Sequence, residues 1–127
     1  MSAAKPNLKV YTPEEATARI SELGLNGWYI EGGWLKRKFN TEGWPVTLML
    51  VNAVGYLCEA ADHHADLAVT YAKLWVKLQT HSVGGISDKD FELAQKIEEV
   101  VLWLPKGGAL DGCDRKWVKG GSPGGGG

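Results

Sequence analysis

Cysteine is scarce in this chain of 127 residues, with only Cys58 and Cys113. Two thiols, one in an apolar helical pattern and one in a glycine-rich tail, make no disulfide framework; free thiols in a reducing compartment are expected. Neither a dinucleotide-binding GxGxxG nor a phosphate-cradling GxxxxGK[ST] occurs. Basic residues never run longer than Lys36-Arg37-Lys38, and 14 of them balance 15 acidic ones to a net charge of −1. That balance argues against a nucleic-acid partner. The most apolar run, Leu48 to Cys58, is 11 residues long, against about 20 for a membrane span. The opening MSAAKPNLKVYTPEE has no apolar core of a secretory signal. A soluble, cytoplasmic protein is the expectation, with no membrane partner.

The length suits one domain with one core, and a hydrophobic content of 44% is that of an ordinary globular chain. Residues 1–11 are polar and read as a flexible lead-in. Thr12-Pro13-Glu14-Glu15 then reads as a helix start: Thr12 as N-cap, Pro13 first in the helix, Glu15 closing a capping box, and Gly24 ending it. Gly27–Glu31 and Trp34–Asn40 flank Gly32-Gly33 as a hairpin, with Leu35, Arg37 and Phe39 on one face. Trp44-Pro45 opens a second helix whose expected stripe is Leu48, Val51, Val54 or Gly55, and Cys58, apolar nearly all round and so packed on more than one side. Ala65–Tyr71 and Leu74–Thr80 read as two more strands, Leu74, Val76 and Leu78 facing the core. Ser87 caps a third helix with Asp90 at N3, and Phe91, Ala94, Ile97, Val101 and Leu104 make its stripe. Val100 and Trp103 lie off that stripe, as a subunit contact or as ordinary surface apolars. The expected fold is α+β in the order α-β-β-α-β-β-α: a four-stranded antiparallel sheet with three helices on one face. The domain is expected over 12–105, and residues 106–127 form a glycine-rich flexible tail.

All three histidines, His63, His64 and His81, fall between Glu59 and Asp90. Imidazole has the ordinary pKa nearest neutrality, so their concentration points to proton chemistry. A metal site is not expected: adjacent histidines lack i, i+4 spacing, and no cysteine stands at zinc-ligand spacing. Glu59 reads either as a site group or as a solvated carboxylate at a helix end. Asp90 reads as a capping residue, with a second role in the site open to it. Trp28, Trp44, Trp75 and Tyr71 are candidates to wall a flat ligand, with core packing the default for Trp28 and Trp44.

The spacing is more specific than the composition. Glu59, His63, His64, Tyr71, Thr80, His81, Gly85, Ile86, Ser87, Asp90, Leu93 and Ala94 form E-x3-HH, a following aromatic, and TH-x3-GIS-x2-D with LA after it. With Gly27-Trp28, Gly32, Phe39 and Trp44 upstream, residues 12–104 resemble the pterin-4a-carbinolamine dehydratase family. The resemblance implies the same fold and dehydration of a 4a-hydroxytetrahydropterin to the quinonoid dihydropterin in pterin cofactor recycling. It implies no cofactor or metal. His63, His64 and His81 are the implied catalytic groups, and Glu59, Asp90, Trp75 and Tyr71 the substrate-binding ones. It also implies a homodimer or homotetramer. Two positions depart from the family: Ala65 stands where a proline is usual and Leu67 where a tryptophan is. The competing reading is a binding protein on the same fold with a protein partner, as in the family's coactivator and RuBisCO assembly-factor relatives. The assembly factors are expected to lose the histidines, which this chain keeps.

Overall fold

The computed structural model describes residues 8–114 and 117–119. Helix α1 (Pro13–Leu23) begins with a reciprocal capping box: Glu15 N donates to Thr12 Oγ1 and Thr12 N to Glu15 Oε1. It ends at Gly24, whose φ of 68° lies in the left-handed region. Strands β1 (Trp28–Glu31) and β2 (Trp34–Asn40) form a hairpin. Gly32 and Gly33, at φ 60° and 83°, supply the positive angles of its two-residue turn. Helix α2 (Trp44–Ala61) crosses to a second hairpin, β3 (Asp66–Thr70) and β4 (Lys73–Leu78), and α3 (Asp88–Val101) completes the chain order. The sheet is antiparallel in the order β1-β2-β4-β3. Leu35, Phe39, Leu74, Val76 and Leu78 are fully buried on one face, joined in the core by Val54, Phe91, Ala94 and Ile97. The expected α+β architecture is the observed one.

Helix α2 differs from its expected stripe. Val46, Thr47, Leu50, Val54, Leu57 and Cys58 are its buried residues, whereas Leu48, Met49 and Tyr56 are exposed. Trp44, expected in the core, is 44% exposed at the helix start. Because the helix is apolar nearly all round, hydrophobicity does not mark which side meets the sheet; contact with β3, β4 and α3 decides it. At 18 residues α2 is also long and apolar enough to pass as a membrane span, which the shorter run Leu48–Cys58 did not suggest. Its inner face is committed to the sheet and α3, the position of a core helix. Helix α3 stops at Val101, so Leu104 lies beyond it and is exposed rather than buried.

The core face of β2 carries a charge. Arg37 Nε and Nη2 donate to the Glu98 carboxylate of α3, Nη1 donates to Lys38 O (3.0 Å), and the guanidinium stacks 4.1 Å from the Phe39 ring centre. Trp28 Nε1 donates to the same Glu98 at 2.8 Å, so this cluster ties the first hairpin to α3. A Cβ at Gly27 would lie 2.5 Å from Arg37 Cζ, so a larger residue there has to displace the guanidinium.

Residues on either side of 12–105 also make contacts. Tyr11, inside the expected lead-in, donates its backbone N–H to Ile86 O (2.9 Å) and its ring packs edge-on to Phe91. Val118, inside the expected flexible tail, is buried and bridges to Thr41. The expected flexibility of residues 1–7, 115–116 and 120–127 lies outside the described residues.

Candidate active site

The site begins where α2 stops. Asp62 caps the helix at φ 54°, ψ 42°, a left-handed conformation that Asp tolerates better than most side chains do. Its N–H closes on Cys58 O and Glu59 O, and the next N–H, of His63, returns to Cys58 O at 3.1 Å. The chain then runs extended, so the adjacent imidazoles diverge. His63 is mostly buried, its Nε2 2.6 Å from Asp90 Oδ1. His64 is turned to solvent, its Nε2 2.8 Å from the exposed Glu59.

Asp90 is fully buried and serves several groups at once. Its Oδ2 accepts from Ser87 N (2.9 Å), completing the capping box of α3, and from Thr80 Oγ1 (2.7 Å). The Thr80 and Ser87 hydroxyls lie 2.6 Å apart, and Ser87 Oγ also accepts from Lys89 N. The same carboxylate therefore caps a helix and holds an imidazole. Thr80 is also bonded to Gly85 (Thr80 N to Gly85 O, 2.8 Å), which closes the loop carrying His81. His81 opens a single 3-10 turn (His81–Val83), is exposed, and has no side-chain hydrogen bond among the described residues. His63 and His81 are thus brought to one end of the molecule, linked through Asp90 and Thr80.

The other predicted residues are not gathered there. Tyr71 lies at the opposite end of α2: its ring packs over Gly43, and its carbonyl accepts from Thr47 Oγ1 at 3.0 Å. The 18-residue helix separating it from His63 is about 27 Å long. Trp75 sits on the open face of the sheet, in register with Lys38 and Ala68, away from the helical layer that contains His63 and Asp90. Glu59 pairs with His64 rather than with His63. Among the described residues no three His, Cys, Asp or Glu side chains form a group able to hold a metal ion.

The family model for pterin 4 alpha carbinolamine dehydratase matches residues 9–100. The chain belongs to this family. It is 42% identical over 93 residues to a protein of Aquifex aeolicus provisionally named pterin-4-alpha-carbinolamine dehydratase, covering 73% of this chain and 93% of that one. A protein of the same provisional name from Roseiflexus castenholzii is 38% identical over 86 residues, 66% of this chain and 92% of the relative. Among solved structures, a Brucella melitensis protein described as a transcriptional coactivator/pterin dehydratase shares the fold. Its TM-score is 0.63 at 24% identity, over 70% of this chain and 95% of that one.

The two departures from the dehydratase pattern have local explanations. The Ala65 N–H donates to Cys58 Sγ at 3.4 Å, a bond that a proline could not make. Ala65 and Leu67 both pack partly buried against the core. The backbone after the histidine pair is thus fixed by a contact to α2 instead of by a proline ring. The motif itself gives Ser87 only its capping role and Thr80 none, whereas the fold puts the Thr80 hydroxyl on Asp90 and the Ser87 hydroxyl on Thr80. Their signal was present in Ser87-x-x-Asp90 and in the residue just before His81.

Proposed function

We propose that this chain dehydrates a 4a-hydroxytetrahydropterin to the quinonoid dihydropterin, with His63 and His81 handling protons, in cytoplasmic recycling of a pterin cofactor. The observation that carries the reading is the 2.6 Å contact between His63 Nε2 and the buried Asp90. A carboxylate accepts, so Nε2 donates and Nδ1 is left with the lone pair of a base. Among the described residues Nδ1 has no protein partner. His63 removes the proton from the ring nitrogen beside C4a as the C=N bond forms. His81, exposed on its loop, protonates the departing hydroxyl, the C4a–O bond breaks, and water leaves. No electron transfer is needed. Each positioned acid or base is worth roughly 10²–10⁴-fold in rate. His64, held outward by Glu59, assists in orienting the pterin.

The test is ultraviolet-monitored turnover of chemically generated 4a-hydroxytetrahydropterin by wild type and by the double variant His63→Ala/His81→Ala. Acceleration that vanishes in the variant is expected. A folded wild type no faster than buffer would sink the reading.

The outer face of α2 favours self-association as dimer or tetramer, with a protein partner as the second reading. Leu48, Met49 and Tyr56 are 39%, 45% and 72% exposed on that helix. Light scattering of wild type and Met49→Glu separates these readings: a multimer that dissociates in the variant supports self-association. A wild-type monomer favours the partner.

A further inference from the structure

The residues just ahead of α1 are packed against the loop that carries His81. Val10 lies directly on Gly85, where a Cβ would come within 2.7 Å of Val10 Cγ1. Tyr11 N donates to Ile86 O at 2.9 Å, and its hydroxyl donates to Asp88 Oδ1 at 2.6 Å. The Tyr11 ring meets Phe91 edge-on, with centres 5.0 Å apart, and Lys9 Nζ stands 4.9 Å from its centre. Lys9 is itself paired with Glu15 at 3.1 Å, and Thr12 begins the capped α1, so the segment is anchored from behind.

The loop, by contrast, is held from within by backbone bonds alone. Val83 N and Gly85 N donate to Thr80 O (3.2 and 3.4 Å), Gly84 N donates to His81 O (3.1 Å), and Gly84 adopts a left-handed conformation at φ 66°. Its inner end is secured by Thr80 on Asp90. Its outer end, Gly85-Ile86, is secured by Val10 and Tyr11.

We propose that Tyr11 is a positioning residue that straps the 81–86 loop to α3 and thereby sets where His81 stands relative to the His63–Asp90 pair. As a statement about catalysis this rests on the dehydratase reading. A misplacement of about 1 Å can cost on the order of 10²-fold in rate, so a strap outside the reacting centre has leverage on it. The bond to Asp88 and, after it, burial hold the phenol above its ordinary pKa.

The test pairs amide hydrogen exchange with kinetics on Tyr11→Phe, which keeps the ring on Phe91 and removes the bond to Asp88. Val83, Gly84 and Gly85 amides are expected to exchange about tenfold faster in the variant, with the α2 amides unchanged. The kcat is expected to fall by about three- to tenfold with KM little altered, and to fall no further when His81→Ala is already present. In a His63→Ala background the fall should persist. Unchanged loop exchange, or an equal fall in the His81→Ala background, would overturn the proposal. So would faster loop exchange with an unchanged kcat. A wild type without turnover fails the dehydratase reading instead, and the exchange result then judges the strap by itself.

Discussion

Replacing Asp90 by Asn tests the centre of the site with almost no change in shape. Asp90 receives Thr80 Oγ1 and Ser87 N on one oxygen and faces His63 Nε2 with the other. An amide can satisfy Thr80 and Ser87 only by keeping its oxygen on their side, which turns its NH2 toward His63. Nε2 must then accept, the imidazole hydrogen moves to Nδ1, and the lone pair assigned to catalysis is lost. The kcat is expected to fall by about 10²–10⁴-fold, the usual worth of a positioned general base. Hydrogen bonds to a charged group contribute about 1 kcal/mol more than neutral ones, so the three contacts together lose about 2–3 kcal/mol. A domain with about 5–15 kcal/mol of stability survives that loss. Asp90→Ala would instead strand three buried donors at about 1–3 kcal/mol each and threaten the fold, which is why Asn is the better probe. Urea denaturation reads the stability, pterin turnover reads the rate, and imidazole 15N shifts read the tautomer. A folded Asp90→Asn protein with kcat within about twofold of wild type would refute the assignment of the His63 tautomer to Asp90.

Three further outcomes are expected. Glu98→Ala leaves the Arg37 guanidinium buried without its carboxylate and should cost about 3–5 kcal/mol in urea denaturation; Arg37→Met with Glu98→Leu should cost less. The Glu15 carboxyl is held below its usual range, first by the Thr12 backbone N–H and then by Lys9, so its stabilising contribution is present above the ordinary carboxylate pKa. That contribution is lost as pH falls through the depressed value; circular dichroism should show the acid limb of wild type flattened in Glu15→Gln, and identical limbs would contradict the capping argument. At Asp62 the left-handed backbone should make Asp62→Gly nearly neutral, while Asp62→Val costs about 1–2 kcal/mol, read as a shift in thermal midpoint.

Local signals carried the sequence a long way. The capping boxes at Thr12 and Ser87, the Gly32-Gly33 turn and the two-residue alternation of β2 and β4 depend on neighbours a few residues apart, and all are found where the pattern put them. The histidine spacing likewise led to the right family. What depended on distant partners was not legible. The buried side of α2 is chosen by the sheet and α3, because a helix apolar nearly all round offers only a weak moment to read. Arg37 on a core face gains its meaning from Glu98, 61 residues away, and the lead-in residue Tyr11 gains its meaning from Asp88, 77 residues away. The two aromatic candidates Tyr71 and Trp75 share the histidines' stretch of sequence. Tyr71 is set apart from them by the length of a helix, and Trp75 by a sheet face. Sequence by itself determined the elements and the family. Tertiary structure decided which side chains meet, since a hydrogen bond needs a partner within about 3 Å and chain order does not measure distance across a fold.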